Sequence, residues 1–174
     1  EYQNGLSPAF KLIGETTEGM NGIYFTSHPD LLGEIHEIWY IDEDGDGNFE
    51  SMMNDETYQD KFYPENEEMD WFYKAIESDK GVWSEPYVDT DIDTYMVSYT
   101  KAIRIGELLI GVVGIDVNIE GVESQIKEMK VYDTGYAMLL GDNYDIYIHP
   151  EYEEQNLGEV EEGGLKFITE QMDK

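Results

Sequence analysis

Trp71, Tyr87, Asp89 and Asp116 are spaced so that aromatic faces and carboxylates could converge on one small cavity. Trp71 lies in the run Asp70-Trp71-Phe72-Tyr73-Lys74-Ala75. Tyr87 and Asp89 close the run Val82-Trp83-Ser84-Glu85-Pro86-Tyr87-Val88-Asp89. Asp116 sits in Gly111-Val112-Val113-Gly114-Ile115-Asp116-Val117. On residue type alone the plainer reading comes first, with Trp71 in the core face of an amphipathic helix and Tyr87 and Asp89 in a loop. Asp116 changes the balance. It ends an otherwise apolar strand, where a bare carboxylate would cost several kcal/mol to bury. It must therefore be paired, hydrogen-bonded or turned towards a cavity.

A second group of oxygens lies in Asp42-Glu43-Asp44-Gly45-Asp46-Gly47-Asn48-Phe49-Glu50. Asp42, Asp44 and Asp46 occupy the first, third and fifth positions of an EF-hand-type loop, with Gly47 at the sixth. Asn48 and Glu50 add further oxygens. The twelfth position holds Met53 instead of a bidentate Glu, and the flanks read as strands. A plain acidic turn is the preferred reading, and calcium held by fewer protein ligands stays open. His28, His36 and His149 have no partner at metal-ligand spacing and take structural roles. No Gly-x-Ser-x-Gly, phosphate-binding glycine loop or His-Glu-x-x-His is present, so no catalytic residue and no cofactor is assigned. A hydrolase using Asp89 and Asp116 has only its carboxylates in its favour.

The chain of 174 residues can bury one sizeable core, or one core and a small second domain. Its net charge of −30 would favour disorder, but three Trp, fourteen Tyr and six Phe point to a folded core inside an acidic shell. Such a shell repels phosphate backbones, which argues against nucleic acid as a partner. It is equally compatible with plain solubility and with a high-salt habitat. There is no cysteine, hence no disulfide framework and no thiolate metal site. No apolar run approaches the ~20 residues that span a bilayer, and no signal peptide is visible.

Helical spacing is expected from Ser7 to about Met20 and from Glu65 to Ser78. In the second segment Met69, Phe72, Tyr73 and Ile76 share one face. Residues 35–41 and 48–53 read as a hairpin around the acidic loop, and residues 23–34 are ambiguous. Tyr95 to Arg104 and Leu108 to Val117 read as a long strand pair turned at Gly106-Glu107. A helix follows Asn118. Residues 136–140 and 144–149 form a further hairpin, and Leu165 to Met172 a last short helix. Two strands alone bury a face poorly, so this last part reads as an incomplete second domain.

This order of elements resembles the double Cache (PDC-type) sensor domains that chemoreceptors and sensor histidine kinases hold outside the cell. The resemblance covers about residues 35 to 150. It implies an α+β, PAS-like antiparallel sheet of about five strands with a long N-terminal helix in residues 1–130. A smaller PAS-like unit would begin at 131 and run to 174. It also implies flanking transmembrane helices in a full-length receptor, an extracytoplasmic location and a homodimer paired through N-terminal helices.

In amino-acid-binding members the membrane-distal pocket uses an Arg, a Trp-Tyr pair, a Tyr and Asp from the next loop, and an Asp ending the last long strand. Trp71 matches the Trp, and Phe72 stands where the Tyr would be. Tyr87 and Asp89 match the loop pair, and Asp116 matches the final Asp. Trp71 and Phe72 would form an aromatic wall, Tyr87 a hydrogen-bonding lid, and Asp89 and Asp116 the cation anchors. The Arg position holds Met69, whose thioether cannot grip a carboxylate. Two carboxylates relieve their repulsion by sharing a cation, and aromatic faces add cation–π attraction. An amine or amino-acid-like ligand is expected, with the amine ahead. The competing reading is an extracellular calcium-binding or adhesion module built on Asp42–Glu50.

Overall fold

A computed structural model of the chain describes residues 2–52, 58–89, 92–152 and 155–173. Met53, the twelfth position of the acidic loop, lies outside them. The chain divides into two compact units, Glu1–Asn118 and Ile119–Lys174. This division falls earlier than the boundary expected after residue 130.

The first unit is built on an antiparallel sheet. Helix α1 (Tyr2–Thr16) leads to β1 (Gly22–Ser27), the short helix α2 (Pro29–Leu32), β2 (Glu37–Ile41) and β3 (Glu50–Met52). A 3₁₀ turn over Glu67–Met69 opens onto α3 (Asp70–Glu77). Then come β4 (Val82–Trp83), β5 (Tyr87–Asp89), β6 (Thr94–Ile105) and β7 (Leu108–Asn118). The strand order is β3-β2-β1-β7-β6-β4, with β5 also paired to β6. The sheet thus has seven strands, and the five-strand expectation missed β1 and the shortest ladders.

β1 fell in the ambiguous stretch for a physical reason. It runs between β2 and β7, and five of its six residues are buried. With both faces covered, the alternation that marks a strand disappears. The β6–β7 pair is the opposite case, long and rich in β-branched residues. It turns at Gly106, whose φ of 62° suits a residue without a side chain.

Helices cover both faces of the sheet. On one face Phe72 and Ala75 of α3 form a closed cluster with Val112 of β7, flanked by Phe62, Tyr73 and Ile76. On the other face α1 lies against β2, and Ser7 Oγ meets the Tyr40 hydroxyl at 2.6 Å. A side chain at Gly14 would run into the ring of the buried Phe49, so glycine lets α1 come this close. Leu6, Leu12 and Ile13 of α1 stay exposed. The 3₁₀ turn that leads into α3 is capped by Asn66, whose side chain accepts the Glu68 backbone N–H at 3.2 Å.

The second unit holds α4 (Ile119–Glu128), β8 (Leu139–Leu140), β9 (Ile146–Ile148), α5 (Val160–Gly163) and α6 (Lys166–Met172). Ile146, Leu157 and Val160 make its core. His149 is buried there as a turn former. Its Nδ1 accepts the N–H groups of Glu151 and Tyr152, and Nε2 faces the Tyr136 hydroxyl at 3.0 Å. Burial pushes its pKa down, which keeps the ring neutral.

Phe72 is 0% exposed at the join between α3 and the sheet. Phe72→Ala is expected to lower the unfolding free energy by about 3–5 kcal/mol. Denaturant titration of the purified chain reads this as a fall in the transition midpoint.

Candidate ligand-binding site

Strand register brings the polar groups together. Asp116 of β7 pairs with Gly22 of β1 on one side and with Ser98 of β6 on the other. Tyr24 pairs with Gly114, and Tyr87 with Met96. Because side chains alternate along each strand, Tyr24, Ser98, Asp116 and Tyr87 project from one face. α3 packs on that same face. Trp71 meets Tyr24 edge-on, with ring centroids 5.1 Å apart. Trp71 and Asp116 therefore share a side of the sheet.

Asp116 is 4% exposed. Ser98 Oγ donates to its Oδ1 at 2.6 Å, and Ser98 Oγ lies 2.7 Å from the Tyr87 hydroxyl. Ser98 has one proton, and when Asp116 is ionised that proton goes to the carboxylate. The Tyr87 hydroxyl must then donate to Ser98, making a relay of donors that ends on the carboxylate. Oδ2 occupies the space that a Cβ at Gly22 would fill. The tyrosine ring of residue 24 uses the space above Gly114 in the same way. Two glycines in neighbouring strands thus leave room for one carboxylate and one phenol.

The electrostatics follow from the geometry. Burial pushes the Asp116 pKa up to about 7, against the help of Ser98, and the charges of Asp89 and Glu37 push it further the same way. Burial, with Asp116 next in size, raises the Tyr24 and Tyr87 hydroxyls well above the usual tyrosine range. Both tyrosines stay neutral donors. Glu37 takes the Thr26 hydroxyl at 2.6 Å on this same face. Three acidic residues thus bear on one site.

No lysine or arginine among the described residues pairs with Asp116. Lys74 is exposed and bonded to Asp70 at 2.6 Å. Arg104 donates to the Ile76 carbonyl at 2.8 Å. Lys101 is exposed on β6. Met69 is buried at 4% exposure and carries no charge.

Of the residues singled out from the sequence, Trp71, Tyr87 and Asp116 share this face, and Asp89 lies close enough to act on Asp116 through its charge. Phe72 is further in, packed into the core. Asp42, Asp44, Asp46, Asn48 and Glu50 belong to a separate acidic turn between β2 and β3, at the sheet edge. Tyr24, Ser98 and Glu37 escaped sequence reasoning. Ser98 could have been found from the inward positions of β6, where Met96, Ser98 and Thr100 alternate and a small hydroxyl interrupts bulk. Tyr24 and Glu37 needed the pairing of β1.

Residues 11–124 match the family described as methyl-accepting chemotaxis protein-like, first PDC sensor domain. The methyl-accepting chemotaxis protein McpC of Bacillus subtilis is 31% identical over 88 residues, which are 50% of this chain and 13% of McpC. McpG of Pseudomonas putida is 24% identical over 137 residues, 79% of this chain and 19% of McpG. The chain spans less than a fifth of the length of these relatives. Among solved structures, the extracellular domain assigned to a histidine kinase, mmHK1S-Z2, aligns with a TM-score of 0.69 at 19% identity. That alignment covers 98% of this chain and 67% of the other. The ligand-binding domain of the Campylobacter jejuni chemoreceptor Tlp3, solved with L-valine, aligns with a TM-score of 0.57 at 19% identity. Here 83% of this chain and 50% of the other are covered. These two likenesses speak to the fold, which is the mixed helix and antiparallel-sheet fold of such sensors. By the match over residues 11–124, the chain belongs to the methyl-accepting chemotaxis protein-like family of PDC sensor domains.

Proposed function

We propose that this domain is the extracytoplasmic ligand-binding part of a chemoreceptor or sensor histidine kinase, and that its ligand is a small protonated amine. The observation that carries the reading is Asp116, a buried carboxylate with a hydroxyl donor and no cationic partner among the described residues. Asp89 and Glu37 make the same site more negative. An ammonium group would relieve all three. Trp71 offers an aromatic face beside it, worth ~0.5–2 kcal/mol to a bound cation. The Tlp3 domain was solved with an amino acid, a zwitterion. Here the resemblance puts Met69 where an arginine would hold the ligand carboxylate. A carboxylate on the ligand would face negative charge without that clasp.

Calorimetry with an amino acid and its decarboxylated amine separates the two ligand classes. The amine is expected to bind more tightly, and tighter binding of the amino acid would defeat the amine assignment. Asp116→Asn keeps the shape and removes the charge. It is expected to weaken the amine by about 2–5 kcal/mol, with an unchanged affinity taking Asp116 out of the site.

The ionisation of Asp116 gives the pH dependence. An ammonium requires the carboxylate, which in the free domain forms only as pH rises through about 7. Affinity should therefore climb with pH up to that point and level off above it. Below it, affinity should fall by up to about tenfold per pH unit, with proton release detectable as a buffer-dependent heat. The sign for stability is the reverse. The folded-state pKa lies above the ordinary carboxylate value, so the contribution of Asp116 is fully present in acid and is lost as pH rises towards about 7. Melting curves of the free chain and of Asp116→Asn, compared across that range, should converge at the acid end and separate as the wild type loses stability.

A further inference from the structure

We infer that the turn between β2 and β3 is a calcium site, separate from the amine site, that pins the edge hairpin of the sheet. Asp42, Asp44 and Asp46 each bring a carboxylate oxygen to within 4.8 Å of the other two. Clusters of exposed acids are common on a chain of this charge and mean little alone. Asp42 is different, because it is only 7% exposed. Its Oδ2 accepts the Gly47 N–H at 3.0 Å, while Oδ1 is buried with no hydrogen-bond partner among the described residues. A buried carboxylate oxygen left bare is expensive, and Asp44 and Asp46 bring two more carboxylates to the same residue. The ligand that answers all three is a hard cation.

The loop chemistry selects calcium over other cations. All donors are oxygens, which suits calcium or magnesium and not zinc. Asp44 and Asp46, with Glu43, Asn48 and Glu50, line a concavity of about 380 Å³. Calcium accepts an irregular shell of many oxygens such as a turn of this kind offers, where magnesium prefers a tight octahedron with its own waters. Asp44 and Asp46 each also accept a backbone N–H two residues on, from Asp46 and Asn48. The Lys11 ammonium reaches Asn48 Oδ1 at 3.3 Å from an exposed position. It touches none of the three aspartates. The missing twelfth ligand lowers the affinity expected without removing the site.

The fold makes the consequence local. β3 is an edge strand of three residues, paired only to β2 through Trp39↔Met52, Tyr40↔Ser51 and Ile41↔Glu50. A cation bridging Asp42, which follows β2, to the far side of the turn would hold this short ladder closed.

The test is a calcium titration of the chain at about 0.15 M salt, which screens the general attraction of cations to an acidic surface. Terbium luminescence, sensitised by nearby aromatic residues and competed by calcium, reads the site directly. One calcium is expected to bind with a dissociation constant on the order of 0.1–1 mM, the range of extracellular calcium modules. It should raise the melting temperature by mass action, and magnesium should do so less. The paired variant Asp44→Asn/Asp46→Asn, exposed and isosteric, should lose both the sensitised terbium signal and the calcium-dependent rise. Should that variant fail to fold, Asp44→Asn alone is expected to weaken calcium at least tenfold. Equal responses to calcium and magnesium, a calcium response unchanged in the variant, or no saturable binding in the wild type would each overturn the site.

Discussion

A carboxylate set into the middle of a sheet constrains everything around it. Asp116 sits in a central strand, roofed by a helix, and its charge is costly there unless other groups answer it. Ser98 supplies a donor and Tyr87 stiffens that donor from behind. Gly22 supplies volume, since any side chain opposite would occupy the place of Oδ2. Asp89 and Glu37 work against the arrangement. A sequence under pressure for stability alone would put an apolar residue at 116, like Val112 two repeats of the pleat away on the same face. Keeping the acid there, and surrounding it with further acids, fits a site that is completed by something from solution.

The parts of this design that depend on local chemistry were readable from the chain. The β6–β7 pair announces itself through β-branched runs and a glycine turn, and α3 through its apolar stripe and the Asn66 cap of the 3₁₀ turn before it. Asp116 stood out because a charge inside an apolar run has few explanations. The parts that depend on pairing were not readable. β1 has no alternation because helices cover both of its faces. Without β1 there is no way to bring Tyr24 against Trp71, or Glu37 towards Asp116. Phe72 shows the complementary error. Its neighbour Trp71 packs against the same cluster but is only partly buried and meets Tyr24, whereas Phe72 is wholly enclosed.

The two acidic sites of the first unit use the same functional group under different physics. Asp42, Asp44 and Asp46 meet in a turn where Asp44 and Asp46 stand in solvent and only Asp42 is buried. Asp116 is closed in by strands and a helix, where interactions are stronger because solvent is excluded. The acidic surface as a whole draws small cations towards the domain and keeps phosphates and other anions away.

β7 ends at Asn118 and α4 begins at Ile119, with no loop between them. Asp116 is therefore three residues from the first helical residue of the next unit, or about 10 Å of extended backbone. An extended strand has no slack to give. Between Asp116 and that first helical residue the chain offers only Val117 and Asn118, both still in the strand.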